Sequence, residues 1–184
     1  MAAHTPVCDF GLPAPDFALP DLDGRLVTRD QARGAAGLLV VFMCNHCPYV
    51  KAIADRLADD ARALQAQGIG VVGIMSNDFD AYPDDAPDRM REFAARHGLP
   101  FPYLLDADQS VARAYGAVCT PDFFGYDAAL TLQYRGRLDS AGREPRPDAR
   151  RELVEAMTQV ARTGHGPAEQ VPSIGCSIKW RAAS

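Results

Sequence analysis

The chain has 184 residues, 47% of them hydrophobic and 23% charged, and a formal net charge of −5. That length suits one domain whose core stands without disulfide staples. The negative balance excludes a general nucleic-acid or anionic-membrane binder, which needs a basic patch, and no apolar run reaches the length of a membrane span.

Residues 1–12 read as an extended lead-in, 13–163 as the domain and 164–184 as a tail that packs on it. Met1 to Leu19 lacks a basic stretch followed by an apolar one. The five cysteines do not follow the spacing of a small secreted framework, so a cytoplasmic location with reduced thiols is expected. Pro13–Leu19 and Asp21–Val27 read as a hairpin with Asp23-Gly24 as its turn signal. Gly37–Met43 is a continuous apolar run, as expected of a strand buried on both faces, and it stops at a cysteine pair. Pro48–Gln67 carries apolar residues at helical spacing and ends at Gly68. Ile69–Met75 is a second buried strand. Asn77–Asp88 reads as a polar loop, Pro87–His97 as a short helix, Phe101–Leu105 as a short segment and Gln109–Tyr115 as another helix. Asp122–Tyr126 and Leu130–Tyr134 form an antiparallel pair, and Arg150–Thr163 is the last helix. A βαβ start with a ββα finish predicts an α/β domain with a mixed sheet and helices on both faces.

The pair Cys44-Asn45-His46-Cys47 falls at a strand-to-helix junction. Free N–H groups and the positive dipole end at a helix start stabilise a thiolate. Cys44 is therefore expected to be an acidic, exposed thiol, with Cys47 one turn in, more buried and less acidic. His46 can stabilise the anion, and two intervening residues let Cys47 close a disulfide. Metal binding by Cys44, His46 and Cys47 is the competing reading, but no second Cys-x-x-Cys completes a zinc site; no metal and no cofactor are expected. Thr120-Pro121 opens the following hairpin, a position where Pro is tolerated.

Phe42–Lys51, Cys119–Phe124 and Ser173–Trp180 together resemble the peroxiredoxin-like redoxin branch of the thioredoxin superfamily, and Pro15–Leu19 with Asp23-Gly24 resembles that branch's N-terminal hairpin. The resemblance implies a thioredoxin-like fold with an N-terminal hairpin extension. It implies Cys44 as nucleophile, Cys47 as resolving thiol, and Pro121 as a cis-proline facing the sulfurs. Asn45, His46, Thr120 and Pro121 would tune the site, and a His between the cysteines implies a potential above the thioredoxin value of about −270 mV. Met43 stands where thioredoxins carry Trp, and Leu38 where they carry a buried Asp. Peroxiredoxins place Thr three residues and Pro seven residues before the reactive Cys. Counted from Cys47 these positions are Cys44 and Val40; counted from Cys44 they are Val41 and Gly37. The expected activity is thus thiol–disulfide exchange on protein or small-molecule thiols and disulfides, served by an external reductant. A thiol peroxidase or a metal-binding module is the alternative. Cys119 and Cys176 are possible additional thiols, and Cys8 is expected to play no catalytic part. His4, His97, His165 and Lys51 read as solvated or helix-capping.

Overall fold

The computed structural model describes residues 1–5 and 10–182. In chain order the elements begin with β1 (Ala2–His4), β2 (Ala18–Pro20), β3 (Leu26–Thr28), α1 (Arg29–Ala32), β4 (Gly37–Phe42) and α2 (Pro48–Gln65). There follow β5 (Ile69–Met75), α3 (Pro87–His97), β6 (Tyr103–Leu105), α4 (Ser110–Tyr115) and β7 (Cys119–Thr120). The chain closes with β8 (Asp122–Tyr126), β9 (Leu132–Tyr134), α5 (Glu152–Thr163) and β10 (Ile174–Ser177). Cys8 lies outside the described residues.

Among the described residues the central sheet has five strands in the order β6-β5-β4-β8-β9, with β4, β5 and β6 parallel to one another, β8 antiparallel to β4 and β9 antiparallel to β8. This is the mixed sheet expected of a thioredoxin-like fold. β4 lies at its centre because every one of its side chains is apolar and buried. Alternation sends Leu39 and Val41 to one face and Leu38, Val40 and Phe42 to the other. The first face is covered by α2 through Val50, Ile53, Leu57 and Leu64, with Met90 of α3 and Leu153, Met157 and Val160 of α5. The second face is covered by Phe17 and Leu19 of the N-terminal hairpin and by Val111 and Tyr115 of α4. Each fully buried Leu, Ile or Val contributes roughly 1.5–3 kcal/mol, so α2 is fixed on the sheet by its apolar stripe rather than by its weak N-cap.

The segments read as lead-in and tail have structure of their own. β10 lies between β1 and β7 in a small antiparallel sheet, with Cys176 opposite Thr120 and Ala2 opposite Cys176. Further along, the tail is fastened by two amides. Asn77 Oδ1 accepts from Lys179 N at 2.8 Å, while Gln109 Nε2 donates to Lys179 O at 2.9 Å and its Oε1 accepts from Arg181 N at 2.8 Å. β8 is braced by Asp122, fully buried, which accepts from Arg135 Nη2 at 3.0 Å and from Val118 N at 3.1 Å. That pair ties the loop before Thr120 to the sheet. Among the described residues no helix is long and apolar enough to cross a membrane.

Candidate active site

β4 delivers the chain to the end of the sheet, where Met43 N still donates to Ile74 O at 2.9 Å. Cys47 is the N-cap residue of α2, with φ −66° and ψ 122°, and Pro48 follows at the first helical position, where its missing N–H costs nothing. The second arm is Thr120, joined to Pro121 by a cis peptide bond. Cys44 Sγ lies 3.3 Å from Thr120 Oγ1, and Cys47 Sγ lies 3.1 Å from Thr120 O. The residues singled out at positions 44, 47, 120 and 121 are thus brought to one place. Among the described residues Cys44, Cys47, Cys119 and Cys176 are free thiols.

The expected exposure of Cys44 does not hold: Cys44 and Cys47 are both 0% exposed. Nor does the expected order of acidity. The hydrogen bond to Cys47, burial and the Asp85 charge push the Cys44 thiol well above its ordinary value. Cys47 is drawn down to about 4, chiefly by the Cys44 hydrogen bond, with help from Cys176 and the Val50 amide against the cost of burial. Position contributes as well: Cys47, not Cys44, is the N-cap of α2, where the Val50 amide adds to the effect of the Cys44 hydrogen bond. Thr120 O, so close to Cys47 Sγ, opposes a full anion there, and Thr120 Oγ1 can donate to an anion on Cys44. The two sulfurs therefore hold one proton between them and titrate as a pair, one step low and one step high.

Around the pair runs a polar network that sequence reading did not find. Asp85 ends a single 3-10 turn at Pro83–Asp85 and is fully buried. Its Oδ1 accepts from Asn45 N at 2.8 Å and His46 N at 3.2 Å; its Oδ2 lies 2.6 Å from His46 Nδ1 and accepts from Asn77 Nδ2 at 2.8 Å. The Asp85 bond raises the His46 value above that of a free imidazole, against burial. Burial pushes Asp85 up, but His46 and Asn77 together hold it below the ordinary carboxylate value. His46 is thereby committed to Asp85. It stacks on Tyr82, centroids 5.6 Å apart. Asn45 is pinned from the other side, its Oδ1 accepting from Tyr103 OH at 3.0 Å and its Nδ2 donating to Asp84 O at 3.1 Å. The only sequence signal for Asp85 is an acidic stretch held between Pro83 and Pro87, which does not say that the carboxylate turns inward.

Cys119 Sγ donates to Pro121 O at 3.5 Å, and burial pushes this thiol far up. Cys176 is half-buried, packs against the cluster that holds both sulfurs and helps to lower the Cys47 thiol. The donor atoms of Cys44, His46 and Asp85 lie within 4.8 Å of one another, a spacing that could hold a soft cation, but the His46 and Asp85 donors are engaged with each other. His97 bonds Asp55 on the surface, at 2.7 Å. Beside Pro121 opens an apolar cleft of about 340 Å³, walled by Tyr49, Ile53, Phe123, Leu138 and Pro172 and bordered by Arg143.

Comparisons with known proteins agree with this architecture. The chain is similar to a hypothetical protein from Sinorhizobium meliloti 1021 whose crystal structure superposes with a TM-score of 0.92, at 42% identity over 98% of this chain and 99% of that one. An uncharacterized conserved protein from Geobacillus kaustophilus gives a TM-score of 0.91 at 38% identity, covering 100% of this chain and 98% of the other. Peroxiredoxin Bcp from Escherichia coli K12 is 30% identical over 123 residues, 66% of this chain and 74% of that protein. The AhpC/TSA family model matches residues 10–139, a span that holds the central sheet, the cysteine pair and Thr120-Pro121, and the chain belongs to the AhpC/TSA family.

Proposed function

We propose that the chain is a thiol–disulfide oxidoreductase that cycles Cys44 and Cys47 between dithiol and disulfide. The observation that carries this reading is the convergence of both sulfurs, at 3.3 and 3.1 Å, on the one residue that precedes the cis-proline. The attacking thiolate forms on Cys47, which is drawn down while Cys44 is pushed up, the reverse of the roles expected from the sequence. The Cys47 thiolate attacks one sulfur of a substrate disulfide and expels the other as a thiolate, leaving a mixed disulfide. Cys44 then attacks the Cys47 sulfur, its proton passing to the departing substrate sulfur, and Cys44–Cys47 closes. Two electrons pass to the substrate, and an external reductant returns them. The apolar cleft beside Pro121 supplies a surface for the substrate's flanking groups, so protein or small-molecule disulfides with an apolar neighbour are the favoured class.

A variant lacking both thiols next to Cys47, Cys44→Ser with Cys176→Ser, should accumulate mixed disulfides on Cys47, and Cys47→Ser should lose exchange by at least about 100-fold. Full exchange activity in Cys47→Ser would overturn the assignment. Thiol peroxidase is the second reading, favoured by the acidity of Cys47 at a helix N-cap and by the likeness to Peroxiredoxin Bcp. There the Cys47 thiolate would attack the peroxide O–O bond to give a sulfenic acid and release water or an alcohol, and Cys44 would condense with the sulfenic acid to form the same disulfide and water. Stopped-flow oxidation by hydrogen peroxide separates the two: rates far above those of free cysteine favour the peroxidase.

A further inference from the structure

The proposed pair is sealed. Cys44 and Cys47 have no exposed surface, yet exchange requires an incoming sulfur to reach a reacting one in line. The cover is β10. Its residue Cys176 stands directly opposite Thr120, the residue that both buried sulfurs touch, and packs against the core cluster that holds both sulfurs. Unlike the pair beneath it, Cys176 reaches solvent. The close approach has its own device. A Cβ on Gly175 would fall 2.0 Å from Thr120 O, so only glycine lets β10 lie this near the pair.

Resting on the exchange reading above, we propose that Cys176 is a third redox thiol, the relay through which external thiols and disulfides communicate with the buried pair. From the oxidised pair, Cys176 attacks the Cys47 sulfur. The Cys44–Cys47 bond breaks, Cys47–Cys176 forms, and the proton of Cys176 ends on Cys44; no electrons enter or leave. An external thiolate then attacks the accessible Cys176 sulfur and expels Cys47 as a thiolate. A second external thiolate attacks the mixed disulfide at its external sulfur, releases the external disulfide and frees Cys176. The sum is reduction of one protein disulfide by two thiols, and the reverse sequence carries a substrate disulfide inward.

The experiment uses the full chain and its Cys176→Ser variant, each oxidised with diamide, acid-quenched, alkylated and mapped by mass spectrometry. Both are then reduced with glutathione. The wild type is expected to be a mixture of molecules with Cys44–Cys47 and molecules with Cys47–Cys176, with the first glutathione adduct on Cys176. The variant is expected to hold Cys44–Cys47 alone and to be reduced at least about tenfold more slowly. A first adduct on Cys44 or Cys47, with the variant reduced at the wild-type rate, overturns the relay. Absence of a Cys44–Cys47 disulfide from both proteins overturns the exchange reading instead. The adduct map of the wild type stands whatever the variant does to folding.

Discussion

At the scale of single residues, Asp85 organises more of the site than any cysteine. It gathers two backbone amides, an imidazole and the Asn77 carboxamide, and the His46 partnership has a pH signature. His46 is raised above 6.5 in the folded state, so its contribution to stability is full below that value and is lost as pH rises through the raised one. Asp85 is lowered below 3.8, so its contribution is full above that value and is lost as pH falls through the lowered one. The pair is therefore strongest between the two ordinary values. Urea unfolding of wild type and His46→Gln should show a larger stability difference near about pH 5.5 than near about pH 8.5. An equal difference at both would mean that His46 is not charged by Asp85. None of this was legible in the sequence. The cysteine pair announced itself through spacing and the preceding apolar run, whereas a carboxylate that serves the pair from about forty residues away follows from the packing of a loop and has no local pattern.

At the scale of elements, the long apolar ones were legible. Ile69–Met75, Pro87–His97 and Asp122–Tyr126 occupy the spans their patterns predicted, because buried strands and amphipathic helices are written in period and composition. The short polar ones were not. α1 is one turn held by a reciprocal Thr28–Gln31 capping box, and β1 and β10 owe their existence to each other rather than to propensity. The pairing of β10 with β7 offers a direct test. Gly175→Ala forces a methyl against Thr120 O, and overpacking of this kind costs roughly 1–3 kcal/mol. The strain should be relieved by release of β10, read as faster tryptic cleavage after Lys179. Unchanged cleavage would show that the backbone has room that the 2.0 Å approach denies.

At the scale of the whole molecule, the two ends of the chain meet over the active-site end of the sheet. Ser177 N donates to Met1 O at 3.2 Å and Thr5 N to Ser173 O at 3.1 Å, while Ser173 Oγ donates to Pro121 O at 2.7 Å. Each such bond contributes about 0.5–1.5 kcal/mol, enough in sum to hold the cover down. A chain lacking residues 1–5 should keep its core and its unfolding cooperativity, yet its Cys47 should be alkylated by iodoacetamide at least about tenfold faster. An unchanged rate would mean that β7 alone keeps the cover in place. This arrangement also fixes an order of events during biosynthesis. The five-stranded sheet, α2 and Thr120-Pro121 all precede Ile174–Ser177 along the chain. A polypeptide emerging from the ribosome, N-terminus first, thus has its cysteine pair and Thr120-Pro121 in place before β10 has been made.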